Sequence, residues 1–322
     1  KAIIRKLPAV ETLGSTTVIC SDKTGTLTQN EMTVQRIMAG ETVINVEGAG
    51  YEPEGIFNKN GMKIVPADIP ALLEILTAGM LCNDSILTEE SSYWTVKGDP
   101  TEGALLSSAM KAGFRADKLL QEMPRIDAIP FESDYQYMAT LHLQREGTVA
   151  FIKGSLEKLL PASLYMTDNE GNRIRIEPDR IREQVDTYAA AGLRVLAFAK
   201  KEFPADRREI GHEDIREGLT FLGLQAMIDP PRPEAIDAIA TSKTAGIIVK
   251  MITGDHVGTA TAIAEKLGII TGKGKKGITG VQLEEMDDTA FRKAANEYNV
   301  FARVSPAQKL ELVKALQAGK EI

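Results

Sequence analysis

At 322 residues the chain is too long for one ordinary domain, so two domains are expected. Its composition, 43% hydrophobic and 26% charged, is typical of a globular protein, and its net charge of −7 argues against a nucleic-acid partner, which would require concentrated Lys and Arg. Two cysteines exclude a disulfide framework and favour a reducing, cytosolic setting, and three scattered histidines lack the spacing of a zinc site.

The sequence has no secretory signal and no apolar run long enough to cross a bilayer. It begins at Lys1 without Met and stops at Ile322, where the pattern predicts the middle of an element. We therefore expect an excised fragment of a longer protein.

The first predicted strand, Thr17–Ser21, follows an apolar and basic segment within residues 1–14 that predicts a short helix. Cys20 is expected to be buried in this strand, and Asp22 stands at its carboxyl end. In α/β folds the carboxyl ends of parallel strands carry the chemistry, and a carboxylate there can attack a phosphoryl group and hold it as an acyl phosphate. The alternative is that Asp22 only caps a turn.

Between residues 32 and 228 the pattern changes to short strands mixed with helices, with an Asn-Gly hairpin signal at Lys59–Met62. This mixed order predicts an α+β domain containing an antiparallel sheet. The predicted strands are Val34–Met38, Thr42–Val46, Tyr137–Leu143, Thr148–Ile152, Arg194–Ala199 and Thr220–Met227, and the predicted helices are Ile69–Leu81, Pro100–Gly113 and residues 178–191.

From Asp229 onward, strands alternate with helices, which predicts a parallel sheet with crossover helices. Because residues 1–31 and 229–322 are each too small alone, we expect them to form one discontinuous domain, with residues 32–228 inserted as a second domain. The predicted helices here are Pro233–Ala245, His256–Leu267 and a segment from Ser305-Pro306 to Ala318, and the predicted strands are Gly246–Ile252 and Val300–Val304.

Two further strand ends carry groups that suit phosphate oxygens. Thr253, Gly254 and Asp255 offer a hydroxyl and close backbone N–H groups. Lys309 follows Arg303 and lies in the first turn of the last helix, where a lysine and a helix N-terminus together would stabilise a phosphoryl group. Each pattern alone is weak, since the first also fits a strand, turn and helix cap, and the second fits a surface lysine.

The heptapeptide Asp22–Thr28, Asp-Lys-Thr-Gly-Thr-Leu-Thr, resembles the phosphorylation motif of the P-type ion-pumping ATPases. Together with a Thr and a Lys on two later strand ends, it is also similar to the haloacid-dehalogenase-like phosphoryl-transfer folds. The phosphatases of that fold carry a second Asp, the general acid and base, where this chain has Thr24, so the resemblance implies a lasting phosphoenzyme. It implies catalytic roles for Asp22, Thr24 and Lys309, Mg²⁺ ligation by Asp22 and Thr24, and phosphate binding by Thr253, Gly254, Asp255, Arg303 and Lys309.

Four segments of the inserted part resemble the nucleotide-binding motifs of the same family: Lys97–Glu102, Pro130–Asp134, Ile152–Ser155 and Gly192–Arg194. Singly, each is more simply read as core or turn. The resemblance implies that Phe131 stacks on adenine, Glu102 accepts from its amino group, Lys153 lines the base pocket and Arg194 contacts the phosphates, with Ser133 and Gly154 beside them. Gln136 stands where many relatives have a lysine, which puts one phosphate-side cation in doubt.

The resemblance covers the whole chain and is closest to the calcium and sodium/potassium pumps. It implies the catalytic part of a pump on the cytoplasmic face of a membrane, with ATP as substrate, Mg²⁺ as cofactor, and transmembrane and actuator domains and the transported cation elsewhere in the same polypeptide. The family's Gly-Asp-Gly-x-Asn-Asp segment after Lys309 is missing, so we expect nucleotide binding with little phosphorylation of Asp22. The alternatives are a soluble haloacid-dehalogenase-like phosphatase and a non-catalytic nucleotide-binding module. The basic segment Lys273–Lys276 fits no phosphate-loop spacing and predicts a surface loop.

Overall fold

The computed structural model of the chain describes residues 14–91, 93–272 and 277–322. The apolar and basic segment at residues 2–7 and the basic loop at residues 273–276, both interpreted above, lie outside these ranges. The chain divides into two compact units. The first takes the described residues up to Asn30, Ala189–Gly192 and Asp229–Ile322, and the second takes Glu31–Tyr188 and Leu193–Ile228. The division into two domains at residues 31 and 228 stays a prediction.

The strands of the described residues, in chain order, are β1 Val18–Asp22, β2 Thr33–Ala39, β3 Thr42–Val46, β4 Phe57–Lys59, β5 Met62–Lys63, β6 Ile86–Glu90, β7 Tyr93–Lys97, β8 Arg125–Glu132, β9 Tyr137–Gln144, β10 Gly147–Gly154, β11 Ser163–Thr167, β12 Arg173–Arg175, β13 Arg194–Phe203, β14 Leu219–Ile228, β15 Ile248–Thr253, β16 Ile278–Thr279 and β17 Val300–Ala302.

The α-helices of the same residues are α1 Pro70–Leu81, α2 Pro100–Lys111, α3 Ala116–Glu122, α4 Leu156–Ala162, α5 Pro178–Ala190, α6 His212–Ile215, α7 Pro233–Thr244, α8 Val257–Lys266, α9 Gly280–Glu284, α10 Asp288–Glu297 and α11 Pro306–Ala318.

The first unit is built on a parallel sheet, as predicted, with the strand order β1-β15-β17-β16. Helices α7 and α8 pack on β15, and α10 packs on α11. The apolar core beneath includes Ile252, Phe301 and Leu312. Because the strands are parallel, their carboxyl ends meet at one edge of the sheet, and the residues predicted to bind phosphate lie at this edge.

The prediction that Cys20 is buried is wrong. Among the described residues, β1 pairs with β15, the Ile322 carbonyl oxygen accepts from Thr17 N at 2.9 Å and from Val18 N at 3.1 Å, and the Cys20 side chain is exposed. A short apolar run reads the same whether its side chains are covered or exposed, because packing is a property of the whole fold.

The second unit is built on a large, mainly antiparallel sheet, with the strand order β5-β4-β3-β2-β14-β13-β10-β9-β8. Strand β11 pairs in parallel with β14 and antiparallel with β12. The predicted Asn-Gly hairpin joins β4 and β5, with positive φ at Asn60 (52°) and Gly61 (79°). Helices α1 and α2 pack on the sheet and bury Leu72, Ile75 and Leu105 in its core.

The strands and helices predicted within the described residues are present, with ends that differ by a few residues. The sequence analysis did not predict the β6–β7 hairpin, β8, α4 or α10. Strand β17 ends at Ala302, before the predicted Val304, because Arg303 adopts a left-handed backbone conformation with φ of 50°.

Candidate functional site

Asp22 is the last residue of β1, and its partner is Lys309 in the first turn of α11. The two are 287 residues apart in sequence, yet Lys309 Nζ lies 2.5 Å from Asp22 Oδ2. The capping box of Ser305 and Gln308 fixes the start of α11, since Ser305 Oγ accepts from Gln308 N at 3.3 Å and Gln308 Oε1 accepts from Ser305 N at 2.8 Å. A carboxylate and an ammonium thus meet at the carboxyl edge of the parallel sheet.

The loop after Asp22 turns sharply at Gly25, where φ is 74°. Thr24 is exposed in this loop, two residues after the carboxylate. The guanidinium of Arg232 holds the loop by its carbonyls, since Nε donates to Thr28 O at 2.8 Å and Nη2 donates to Gly25 O at 3.4 Å. Arg232, which is distant from Asp22 in sequence, therefore holds the conformation of this loop.

The second predicted group follows β15, the neighbour of β1. Thr253 is buried, and its Oγ1 accepts from Asp255 N at 3.1 Å. Gly254 lies between them, exposed, and a Cβ added to it would meet no atom within 4 Å. The backbone of Arg303 joins the group because its N–H donates to Asp255 O at 3.1 Å. The structure thus brings Asp22, Thr253, Gly254, Asp255 and Lys309 to one edge and adds the backbone of Arg303.

The second unit holds a separate candidate site, a cavity of about 340 Å³. Five of the six residues predicted to bind a nucleotide line it: Glu102, Phe131, Lys153, Gly154 and Arg194. The sixth, Ser133, is exposed in the connection from β8 to β9 and does not line the cavity. Phe131 is 60% exposed, so much of its ring is accessible to a planar ligand.

A buried ion pair forms the floor of this cavity. Glu102, in the first turn of α2, pairs through Oε1 with Lys153 Nζ, and Lys153 also donates to Cys82 O at 2.6 Å. The other carboxylate oxygen, Oε2, accepts from Asp84 N at 3.0 Å and Ser85 Oγ at 2.9 Å. Glu102 therefore already accepts three hydrogen bonds from the protein.

The backbone near the ion pair explains why a glycine stands at position 154 and shows what Gln136 contacts. A Cβ on Gly154 would lie 2.5 Å from Gln136 O, so no side chain fits there. Gln136 itself has a φ of 59°, and its Oε1 accepts from Ser155 Oγ at 3.2 Å. The amide at this position is thus engaged with the start of α4.

Residues 71–234, just over half of the chain, match the family model described as P-type ATPase, cytoplasmic domain N. The chain belongs to the P-type ATPase family. The matched range runs from α1 into α7 and includes every residue that lines the 340 Å³ cavity.

Curated cation- and calcium-transporting ATPases match over almost the whole chain. The chain is 53% identical to "Cation-transporting ATPase pma1" of Synechocystis, 39% to "Calcium-transporting ATPase" of Bacillus subtilis and 37% to "Calcium-transporting ATPase type 2C member 1" of Pongo abelii. These matches cover 98%, 100% and 98% of this chain and 35%, 36% and 33% of the respective relatives. The chain thus spans about a third of the length of the curated relatives it matches.

Within the described residues, no helix combines the length and the apolar character needed to cross a membrane.

The sequence analysis did not assign a role to Lys23 or Asp229. Lys23 is buried, and its Nζ lies 2.7 Å from Asp255 Oδ2 and 3.6 Å from Asp229 Oδ2. Asp229 also accepts from Thr28 Oγ1 at 2.5 Å and from Asn30 N at 2.8 Å. The available signals were the Lys inside the Asp22–Thr28 motif and the Asp-Pro-Pro-Arg run at the change of pattern.

The donor set around Asp22 fits a magnesium ion. In the described residues, no group of three or more His, Cys, Asp or Glu could enclose a metal. Asp22 and Thr24 supply hard oxygen atoms in one loop. Mg²⁺ is commonly held by one or two carboxylates and completed by substrate phosphates and water, so this sparse set suits it.

Proposed function

We propose that the chain is the ATP-binding and phosphoryl-accepting part of a cation-transporting P-type ATPase. The observation that carries the proposal is the Asp22–Lys309 pair at the carboxyl edge of the parallel sheet, with Thr253 and Gly254 at the end of the neighbouring strand. A nucleophilic carboxylate, a cation and hydrogen-bond donors at one edge are the parts that phosphoryl transfer requires.

In the proposed reaction a carboxylate oxygen of Asp22 attacks the γ-phosphorus of ATP. The new bond joins this oxygen to phosphorus, the bond from phosphorus to the β–γ bridging oxygen breaks, and ADP leaves with that electron pair. Lys309 carries the positive charge that the transferring group needs, and the Thr253 hydroxyl and Gly254 N–H can donate to its oxygens. When bound at Asp22 and Thr24, Mg²⁺ would neutralise phosphate charge.

Before Asp22 can attack, its ion pair with Lys309 has to loosen. The pair holds one carboxylate oxygen at 2.5 Å from the ammonium, so an incoming phosphate would take over the lysine and release the carboxylate. Thr24 cannot act as the general base that activates water at ordinary pH, so the acyl phosphate should persist. This persistence favours an energy-coupling ATPase over a phosphatase.

The nucleotide itself is proposed to bind in the cavity of the second unit. The exposed Phe131 ring offers a stacking face, and Arg194 at the cavity wall supplies a cation. Glu102 and Lys153 supply a polar floor that can recognise the edge of a base. For Glu102 to accept from an adenine amino group, it would have to add this bond to its three present ones or exchange one of them.

The full-length protein is proposed to be a membrane ATPase that carries this part on the cytoplasmic face, with transmembrane and actuator domains elsewhere in the polypeptide. The relatives named above as cation- and calcium-transporting ATPases support a cation as its cargo. Transport would couple to formation and loss of the aspartyl phosphate.

The test is labelling of the full-length protein with γ-labelled ATP and Mg²⁺. We expect acid-stable label in the wild type, none in Asp22→Asn, and wild-type labelling in Asp237→Asn, which changes an exposed carboxylate of the same unit. Rapid turnover of p-nitrophenyl phosphate without stable label would indicate a phosphatase instead.

Nucleotide binding is tested separately on the 322-residue chain with a fluorescent ATP analogue. We expect Phe131→Ala to weaken binding about tenfold to a hundredfold without lowering stability, because the ring is exposed and stacking is worth about 1–3 kcal/mol. Binding by the full-length protein without any labelling would indicate a non-catalytic nucleotide-binding module.

A further inference from the structure

Lys23 lies where three segments of the first unit meet. Its side chain is 6% exposed, and its ammonium lies 2.7 Å from Asp255 Oδ2 and 3.6 Å from Asp229 Oδ2. Lys23 belongs to the Asp22 loop, Asp255 follows β15, and Asp229 precedes α7. Asp22 itself pairs with Lys309, so the two lysines serve different carboxylates.

Each of the two carboxylate residues fixes backbone of the candidate site. Asp229 accepts from Thr28 Oγ1 and from Asn30 N, which fastens the end of the Asp22 loop. Asp255 donates its N–H to Thr253 Oγ1 and accepts at its carbonyl oxygen from Arg303 N, which fastens the turn that carries Gly254. The Lys23 ammonium connects these two sets of bonds.

The charges make this connection necessary. Two carboxylates converge on one ammonium, and the Asp229 side chain is only 10% exposed. Without the ammonium the two carboxylates would be a like-charge pair close to the nucleophile, and their mutual repulsion would no longer be offset. The loop and the turn would then separate to bring the carboxylates into water.

We propose that Lys23 is a positioning residue, which holds the Asp22 loop and the Thr253–Asp255 turn in register for phosphoryl transfer through Asp229 and Asp255. The proposal rests on the proposed function of Asp22, and it assigns Lys23 no contact with the phosphoryl group. It separates the lysine that orders the site from Lys309, the lysine that meets the nucleophile.

The test is hydrogen–deuterium exchange of the 322-residue chain without nucleotide or Mg²⁺. In Lys23→Met we expect exchange at least about tenfold faster in residues 24–30 and 254–258, because a buried pair has been broken, with little change elsewhere in the sheet. Lys23→Arg, which keeps the charge, should exchange nearly as the wild type does. Lys23→Met combined with Asp255→Asn should recover part of the protection, because the repulsion between the Asp229 and Asp255 carboxylates is gone.

The matched control is Lys250→Met, which removes another buried lysine of the same unit. Lys250 donates to Asn296 O at 3.0 Å and Tyr298 O at 2.7 Å, so its loss should accelerate exchange near the end of α10. Asp255→Asn alone should accelerate exchange in residues 254–258 less than Lys23→Met does. This variant keeps the test decisive if Lys23→Met does not fold.

The proposal is overturned if Lys23→Met and Asp255→Asn leave both segments unchanged, or if Lys23→Met accelerates exchange equally throughout the unit and Lys23→Arg does the same. A second readout is labelling of the full-length protein, which Lys23→Arg should keep and Lys23→Met should lower at least tenfold. If even the wild type is not labelled, the proposed function fails, while the exchange data still decide the role of Lys23.

Discussion

Lys153 offers the sharpest test of how the nucleotide cavity is built. Its side chain is 8% exposed in β10, where it pairs with Glu102 and donates to Cys82 O at 2.6 Å. Substitution of Lys153 by Met keeps most of the apolar stem and removes the charge. The Glu102 carboxylate then stays at the cavity floor without its cation.

The surroundings of the ion pair indicate how much unfolding free energy each variant should lose. Breaking a buried ion pair by removing one partner costs about 3–5 kcal/mol. Glu102 keeps the Asp84 N–H and the Ser85 hydroxyl as donors, so we expect the lower end, about 3 kcal/mol, for Lys153→Met. Glu102→Leu removes the acceptor of all three donors and should cost about 4 kcal/mol, near the upper end. The double variant should cost less than the sum, because no charge is then left unpaired.

The assay is urea unfolding followed by the fluorescence of Trp94, the single tryptophan of the chain. Trp94 lies in β7 of the second unit, so it reports on the unit that holds the cavity. The control is Lys97→Met, also in β7, whose pair with Glu90 is 3.2 Å long and exposed on both sides. Such a pair contributes about 1 kcal/mol or less. A loss of stability in Lys153→Met no larger than that in Lys97→Met would show that the buried Lys153–Glu102 pair contributes no more than an exposed one.

Three further predictions concern other parts of the chain. His142 is buried, and desolvation lowers its pKa from 6.5 to about 4. The second unit should therefore lose about 2 kcal/mol of unfolding free energy as the pH falls from 7 to 5, measured by Trp94 fluorescence. A His142→Leu variant should lack this dependence of stability on pH. Gly98→Ala should lower the unfolding free energy by about 2 kcal/mol or more, because φ is 129° and the new Cβ would lie 2.2 Å from Ser85 Oγ. Gly113→Ala, where φ is 90° and no atom lies within 4 Å of the new Cβ, should lower it by about 1 kcal/mol in the same urea titration. Ser305→Ala removes the cap of α11 and should lower the thermal stability of the first unit by about 1 kcal/mol, seen by circular dichroism, with no change in the Trp94 transition.

Periodic patterns predicted the longer elements because local physics decides them. The helices α1, α2 and α11 each have a proline at their start, and the turn between β4 and β5 has the Asn-Gly pair that positive φ values favour. The short helix α4 and the β6–β7 hairpin were missed because their sequences lack a strong period, so packing decides them, whereas α10 was missed although its apolar residues follow a helical period after the Asp287 cap.

The candidate sites divide in the same way. The motifs located Asp22, Lys309 and the residues around Phe131, since each motif concentrates reactive or planar groups in a few residues. The sequence could not assign Lys23 its partners, because Asp229 and Asp255 are brought to it only by the fold. For the same reason it did not predict that Glu102 is shared by three donors from the protein.

The sequence by itself determined the chemical groups of this P-type ATPase chain, their order, and the parallel and antiparallel parts of its fold, because residue type and local periodicity carry that information. Tertiary structure alone decided that Lys309 rather than Lys23 meets Asp22, that Asp229 and Asp255 meet Lys23, and that Lys153 is buried on Glu102. Strand order and ion pairing join residues that are distant along the chain. Their energies depend on burial and on neighbouring charges, which exist only once the chain has folded.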